Sequence, residues 1–229
     1  MPNRVLVATA GLVFFAARLG FAADAADWRS WRGPLGNGSV EQGSYPVSFG
    51  ADKYLWRTQL PGKGCSTPIL LNEKIYLTSP ANGEDALLCY DFQGAEKWRA
   101  VFGQENAGKH RNGSGVGTFV PTPVAYKGRV ILVGDKGEIE SIDPVTGKTI
   151  WKGTFPKSRS NFYASPLIAG DKLFAPREDG TVFVASIAND RFELVSENNM
   201  DESVIGSPVP ATNRLLIRGE KHLFCIASE

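Results

Sequence analysis

From residue 54 to residue 226 the chain is a succession of short runs in which apolar and polar residues alternate, punctuated by Gly, Pro, Asn and Asp. A period of two with frequent turn residues predicts strands of about five residues and no amphipathic helices. Residues 141–152, Ser-Ile-Asp-Pro-Val-Thr-Gly-Lys-Thr-Ile-Trp-Lys, show the unit most clearly. One strand ends at Ile142, a turn runs from Asp143 through Thr146 and Gly147 to Lys148, and the next strand carries Trp151. An Asp opening a turn accepts backbone N–H groups, and Gly supplies the positive φ that a reversing chain needs.

Variants of this unit recur. Each begins with Ser or Thr before Pro, at Pro68, Pro123, Pro166 and Pro208, spaced by 55, 43 and 42 residues. Three or four strands follow, the fourth closing on Trp98 in the first repeat, Trp151 in the second and Leu194 in the third. A period in the low forties with four short strands per unit predicts an all-β propeller of about four four-stranded blades. Trp56 occupies a fourth-strand position with no strands before it, while the last repeat lacks a fourth strand. Residues 54–58 are therefore expected to pair beside residues 222–226, closing the last blade. Trp56, Trp98 and Trp151 are expected to be buried anchors.

Residues 1–25 differ in kind. Arg4 precedes a thirteen-residue apolar run and then small residues, the pattern of a secretory signal peptide, and the run is short for a bilayer. Export to the periplasm or medium is expected, with no transmembrane segment after cleavage. Residues 26–53 form an irregular arm whose Trp28 and Trp31-Arg32-Gly33-Pro34 either pin it to the body or stack a ligand; residues 54–229 are the propeller. With 25 basic and 24 acidic residues, the chain has no electrostatic footprint for nucleic acid. Cys65, Cys89 and Cys225 lack metal-ligand spacing. Cys89 and Cys225 fall at matching repeat positions, so the three read as small core residues and not as a disulfide.

Asp143-x-x-Thr146-Gly147-Lys148-x-x-Trp151, with Ser/Thr-Pro opening each blade, resembles the repeat of pyrroloquinoline-quinone-type (PQQ-like) propellers, a family that includes quinoprotein alcohol dehydrogenases and BamB of the outer-membrane assembly machinery. The resemblance covers residues 28–226. It implies an exported, non-catalytic scaffold in the cell envelope, with a protein or glycan partner. The alternative it offers is a quinoprotein oxidoreductase or a degenerate relative. That branch binds quinone and calcium in the central channel with a catalytic Asp and often an adjacent Cys pair. No adjacent Cys pair occurs here, and the carboxylates fall in turns, so no catalytic or metal residue is assigned and no cofactor is expected. Family members usually carry seven or eight blades. Four blades either close alone or form a half-ring that pairs with a second copy by edge-strand exchange; a shortage would lie near residues 102–118.

Alternation of strand direction brings the fourth-to-first and second-to-third connections to one end. The candidate interaction face there comprises His110, Arg111, Arg159, Asn161, Tyr163 and Arg177. His222 reads as structural. Ser66, Ser165 and Ser207 have no evident base, and the Gly-rich run 113–117 opens onto a strand, unlike a phosphate loop.

Overall fold

Tight turns fold each group of alternating runs into an antiparallel meander. The computed structural model describes residues 27–28, 30–104, 121–122, 124–134, 136–143, 148–187 and 191–227. Two strands precede the first full repeat: β1 (Ser39–Val40) and β2 (Tyr54–Gln59). Blade I is β3 (Ile69–Leu71), β4 (Lys74–Ala81), β5 (Glu84–Asp91) and β6 (Glu96–Gln104). Blade II is β7 (Val124–Tyr126), β8 (Arg129–Val133), β9 (Glu138–Ile142) and β10 (Thr149–Thr154). Blade III is β11 (Leu167–Ala169), β12 (Lys172–Pro176), β13 (Thr181–Ser186) and β14 (Glu193–Asn199). Blade IV takes β15 (Val209–Ala211), β16 (Arg214–Arg218) and β17 (His222–Ala227), and its outer strand is β2.

The closure expected from the two incomplete ends is present. Strand β2 lies antiparallel to β17, with Trp56 opposite Cys225 and Thr58 opposite Leu223. Blade I departs from its expected outline. Asn82 and Gly83, both at positive φ, make a tight Asn-Gly turn, so β4 and β5 run on as a longer hairpin. The arm is not wholly irregular either: β1 pairs in parallel with β11, Ser39 beside Ile168.

Blades pack in the spatial order II, III, IV, I, and the Ser/Thr before each Pro joins them. Thr122 N–H donates to the Ser165 hydroxyl at 3.0 Å, Ser165 N–H to the Ser207 hydroxyl at 3.0 Å, and Ser207 N–H to the Thr67 hydroxyl at 3.1 Å. Ser165 and Ser207 thus each give an N–H to the next blade and take one from the blade before, Thr122 only gives, and Thr67 only takes.

Cross-strand columns show which faces these contacts cover. On the face each blade turns to its successor stand Ile131, Ser141 and Trp151 in II; Phe174, Val184 and Ser196 in III; Leu216, Cys225 and Trp56 in IV; and Tyr76, Cys89 and Trp98 in I. Leu194 does not replace the Trp in blade III. A register shift between Val184 and Ala185 places Ser196 in that position, while Leu194 faces the other way. Trp151 is buried, but Trp98 is 44% exposed. Its expected burial fails because no sheet of the described residues lies over it. Cys89 and Cys225 are buried as expected, whereas Cys65 is exposed; all three are free thiols.

The apolar interior is correspondingly divided. One cluster joins blade I, blade IV, one face of blade III and the arm; the other joins blade II to the opposite face of blade III. Among the described residues no hydrogen bond, ion pair or ring contact links blade I to blade II.

Trp151→Ala is expected to cost about 3–5 kcal/mol, and Trp98→Ala under about 1 kcal/mol, in urea unfolding of the dilute protein. Equal costs would refute the difference in coverage. Ser207→Ala strands the buried Ser165 N–H and should cost about 1–3 kcal/mol, with Ser207→Thr restoring most of it.

Candidate interaction face

The first-to-second hairpin turns of the four blades lie at one end of the fold; the second-to-third turns and the connections from blade II to III and from III to IV lie at the other. The connection from blade II to blade III, residues 155–166, is held by apolar staples. Phe155 stacks on Phe162 at 5.4 Å and packs on Phe183 at 4.9 Å. Between these buried rings, residues 156–159 are exposed.

Arg177, just beyond β12, pins this loop from below. Its guanidinium lies 4.8 Å from the Phe183 ring centre, donates to Asp179 Oδ2 at 2.9 Å, and donates to the Pro156 carbonyl at 2.9 Å. Burial pushes the Asp179 carboxyl up, but bonds from Arg177 and the Thr181 N–H outweigh it and hold the group below its ordinary value. Glu178 N–H donates to the Asn161 carbonyl at 2.9 Å, Asn161 Nδ2 to the Tyr163 hydroxyl at 2.9 Å, and Lys136 Nζ to the Arg159 carbonyl at 3.4 Å.

Arg159, Asn161, Tyr163 and Arg177 therefore share one loop cluster, in different positions. Arg177 is buried and committed to internal partners, Asn161 and Tyr163 are half-buried, and Arg159 is exposed. His110, Arg111, Thr146 and Gly147 lie outside the described residues. Asp143 is described, with its N–H bonded to the Lys148 carbonyl at 2.9 Å across the repeat turn.

Two charged groups escape sequence reasoning. Glu202 accepts from the His222 backbone N–H at 2.9 Å and sits 2.8 Å from His222 Nδ1, while His222 Nε2 faces Arg57 Nη2 at 3.1 Å. Since an arginine only donates, Nε2 is the acceptor and Nδ1–H donates to Glu202. Both ring nitrogens are thereby occupied. Arg218, 1% exposed, bridges blades IV and I by donating to the Ser66 and Thr78 carbonyls. Burial without a carboxylate lowers its pKa to about 10, and its Nε and Nη2 meet no acceptor among the described residues. Alternation placing Arg218 on the Leu216 face was the one sequence signal for it.

The central channel is where the enzyme branch would carry quinone and calcium. Here the arm is bonded to the innermost strand, or the residue that opens it, in every blade. Leu70 N–H donates to the Trp28 carbonyl at 2.9 Å, Trp31 Nε1 to the Ser207 hydroxyl at 3.2 Å, and the Ser39 hydroxyl to the Ala125 carbonyl at 3.0 Å, while β1 extends β11. The Trp-Arg-Gly-Pro turn suits this course. Gly33 has φ +75°, and a Cβ there would lie 2.5 Å from the Trp28 ring. Calcium takes six to eight oxygen ligands, yet no three of His, Cys, Asp and Glu converge among the described residues. At the opposite end an open cleft of ≈ 360 Å³ between blades I and IV is lined by Lys74, Asp91, Phe92 and Arg214, a mixed set of charges.

Comparison with curated proteins gives no match. Among solved structures, BamB from Moraxella catarrhalis has 15% identity and a TM-score of 0.38, covering 70% of this chain and 42% of its own. A europium-containing methanol dehydrogenase has 15% identity and a TM-score of 0.30, with 74% and 31% covered. The computationally designed protein Ika4 has 11% identity and a TM-score of 0.40, with 84% and 98% covered. This chain thus spans less than half the length of the first two. The family model for outer membrane protein assembly factor BamB, a PQQ-repeat family, matches residues 50–226, and the chain belongs to that family.

Proposed function

We propose that this chain is an exported, non-catalytic propeller that presents the loops at the blade II–III junction to a protein partner in the cell envelope. The observation that carries this reading is the course of the arm, which lies against the inner edge of all four blades where a cofactor would otherwise sit. A rigid scaffold that displays loops is the common arrangement for binding. The loop around Arg159 is held by buried rings below and by Arg177 beside it, so little order remains to be gained on binding. Family membership in the BamB group supports an envelope location. No helix among the described residues is long and apolar enough to cross a membrane.

The test is capture of envelope proteins on the exported chain, compared with Arg159→Glu and Tyr163→Ala. Loss of the same partner from both, with unchanged melting, supports the reading; capture indifferent to both overturns it. Titration with quinone and calcium gives the opposing result if binding is micromolar and alcohol-dependent dye reduction follows. N-terminal sequencing is expected to begin near residue 26.

Acid should weaken capture in a defined direction. Because the Asp179 carboxyl is depressed in the fold, its contribution is complete above an ordinary carboxylate pKa of about 3.9. That contribution is lost as pH falls through the folded value. Asp179→Asn should mimic the acid state at neutral pH, seen as faster amide exchange in residues 156–161.

A further inference from the structure

The arc of four blades has a direction, and its two ends are unlike. Every internal junction sets the forward face of one blade on the rear face of the next. At the junction of IV with I, the Trp56 ring lies over Gly94, where a Cβ would come within 2.6 Å of it. Trp56 Nε1 donates to the Phe92 carbonyl at 2.8 Å and the Thr58 hydroxyl to the Gly94 carbonyl at 2.7 Å. Trp151 of blade II packs in the same sense against Phe192 of blade III, with centroids 6.5 Å apart.

Blade I ends the arc with its forward face uncovered by any described sheet. Tyr76 and Trp98 pack on each other there at 5.8 Å, with Leu87 half-buried beside them. Blade II begins the arc with its rear face uncovered by any described sheet. Val130 and Leu132 are half-buried there, whereas their counterparts Leu173 and Ala175, Leu215 and Ile217, and Ile75 and Leu77 are all 3% exposed or less. Ile150, at the outer edge of blade II, is 41% exposed. The hydroxyl relay stops at the same two places. Among the described residues Thr67 N–H meets no hydroxyl, and the Thr122 hydroxyl receives no N–H.

What blade I offers is therefore what blade II lacks, in the same register as the three junctions already made. We propose that a second copy of this chain covers both faces, blade I of each copy docking on blade II of the other. Two arcs related by a two-fold axis satisfy both open ends at once and leave no uncovered face among the described sheets, a closed assembly. The contact is face to face between sheets, and β2 remains in its own chain's blade IV. This inference does not depend on the loop face proposed above, which lies at one end of the blades and not on their flanks.

Sedimentation of the exported chain over a range reaching about 100 µM tests it, beside Trp98→Glu and Ile150→Glu. A dimer is expected, with its dissociation constant raised about 30-fold or more by Trp98→Glu, the scale of an interface hot spot. Both residues are exposed in the single chain, so urea midpoints of the dilute variants should match the parent. A monomer at every concentration overturns the proposal, as does a dimer indifferent to both substitutions. Larger open-ended oligomers would also overturn it, since they would show that the junction forms without closing.

Discussion

The hydroxyl of the Ser or Thr before each proline is the constraint on which blade packing depends. Proline restricts the preceding residue to an extended conformation, and it brings no N–H of its own into the crowded inner edge. The preceding N–H points out of its sheet, where leaving it unpaired and buried would cost about 1–3 kcal/mol. Only a group on the adjacent blade can meet it, and Ser165, Ser207 and Thr67 supply that group in turn. Fixing the blades at the smallest radius leaves the larger outer contacts, such as Trp56 over Gly94, with one available register.

Polar groups between blades add to this register where apolar packing alone would slide. Arg218 donates from blade IV to two blade I carbonyls, and its desolvation is offset only in that alignment. Glu202, on the connection entering blade IV, grips both the backbone and the ring of His222. Arg57 on β2 then closes the other ring nitrogen, so the strand that completes blade IV is tied by side chains as well as by its ladder. These are weak sources of net stability, since buried charges carry a large desolvation cost. Their effect is to make neighbouring alignments worse.

Strand positions and the closure of blade IV by β2 were legible because they follow from period, turn residues and a matched vacancy at two ends. Less local features were not. Strand β1 is two residues long and gains its place from β11, so no alternation could announce it. Ser196 takes the aromatic position of blade III: a bulge precedes that position in all four blades, and with a serine there no aromatic marks it, so Leu194, two residues earlier and on the other face, draws the match. Of the loop residues, Arg159 and Arg177 looked alike in sequence. Their environments differ because Phe162, Phe183 and Asp179 converge on one of them only.

Trp98 and Trp151 state the general limit. Both close a fourth strand, both face forward, and both stand opposite a small buried residue, Cys89 or Ser141. Alternation reports which side of its own sheet a residue occupies, and on that point the two are equivalent. Burial also requires a sheet on the far side, which is a property of the neighbour's position. Blade III lies over Trp151, whereas nothing in the described chain lies over Trp98. An aromatic kept in a buried-type position on an uncovered face is an apolar surface whose cost grows with its area. The face that bears it has its complement on blade II, at the other end of the same arc.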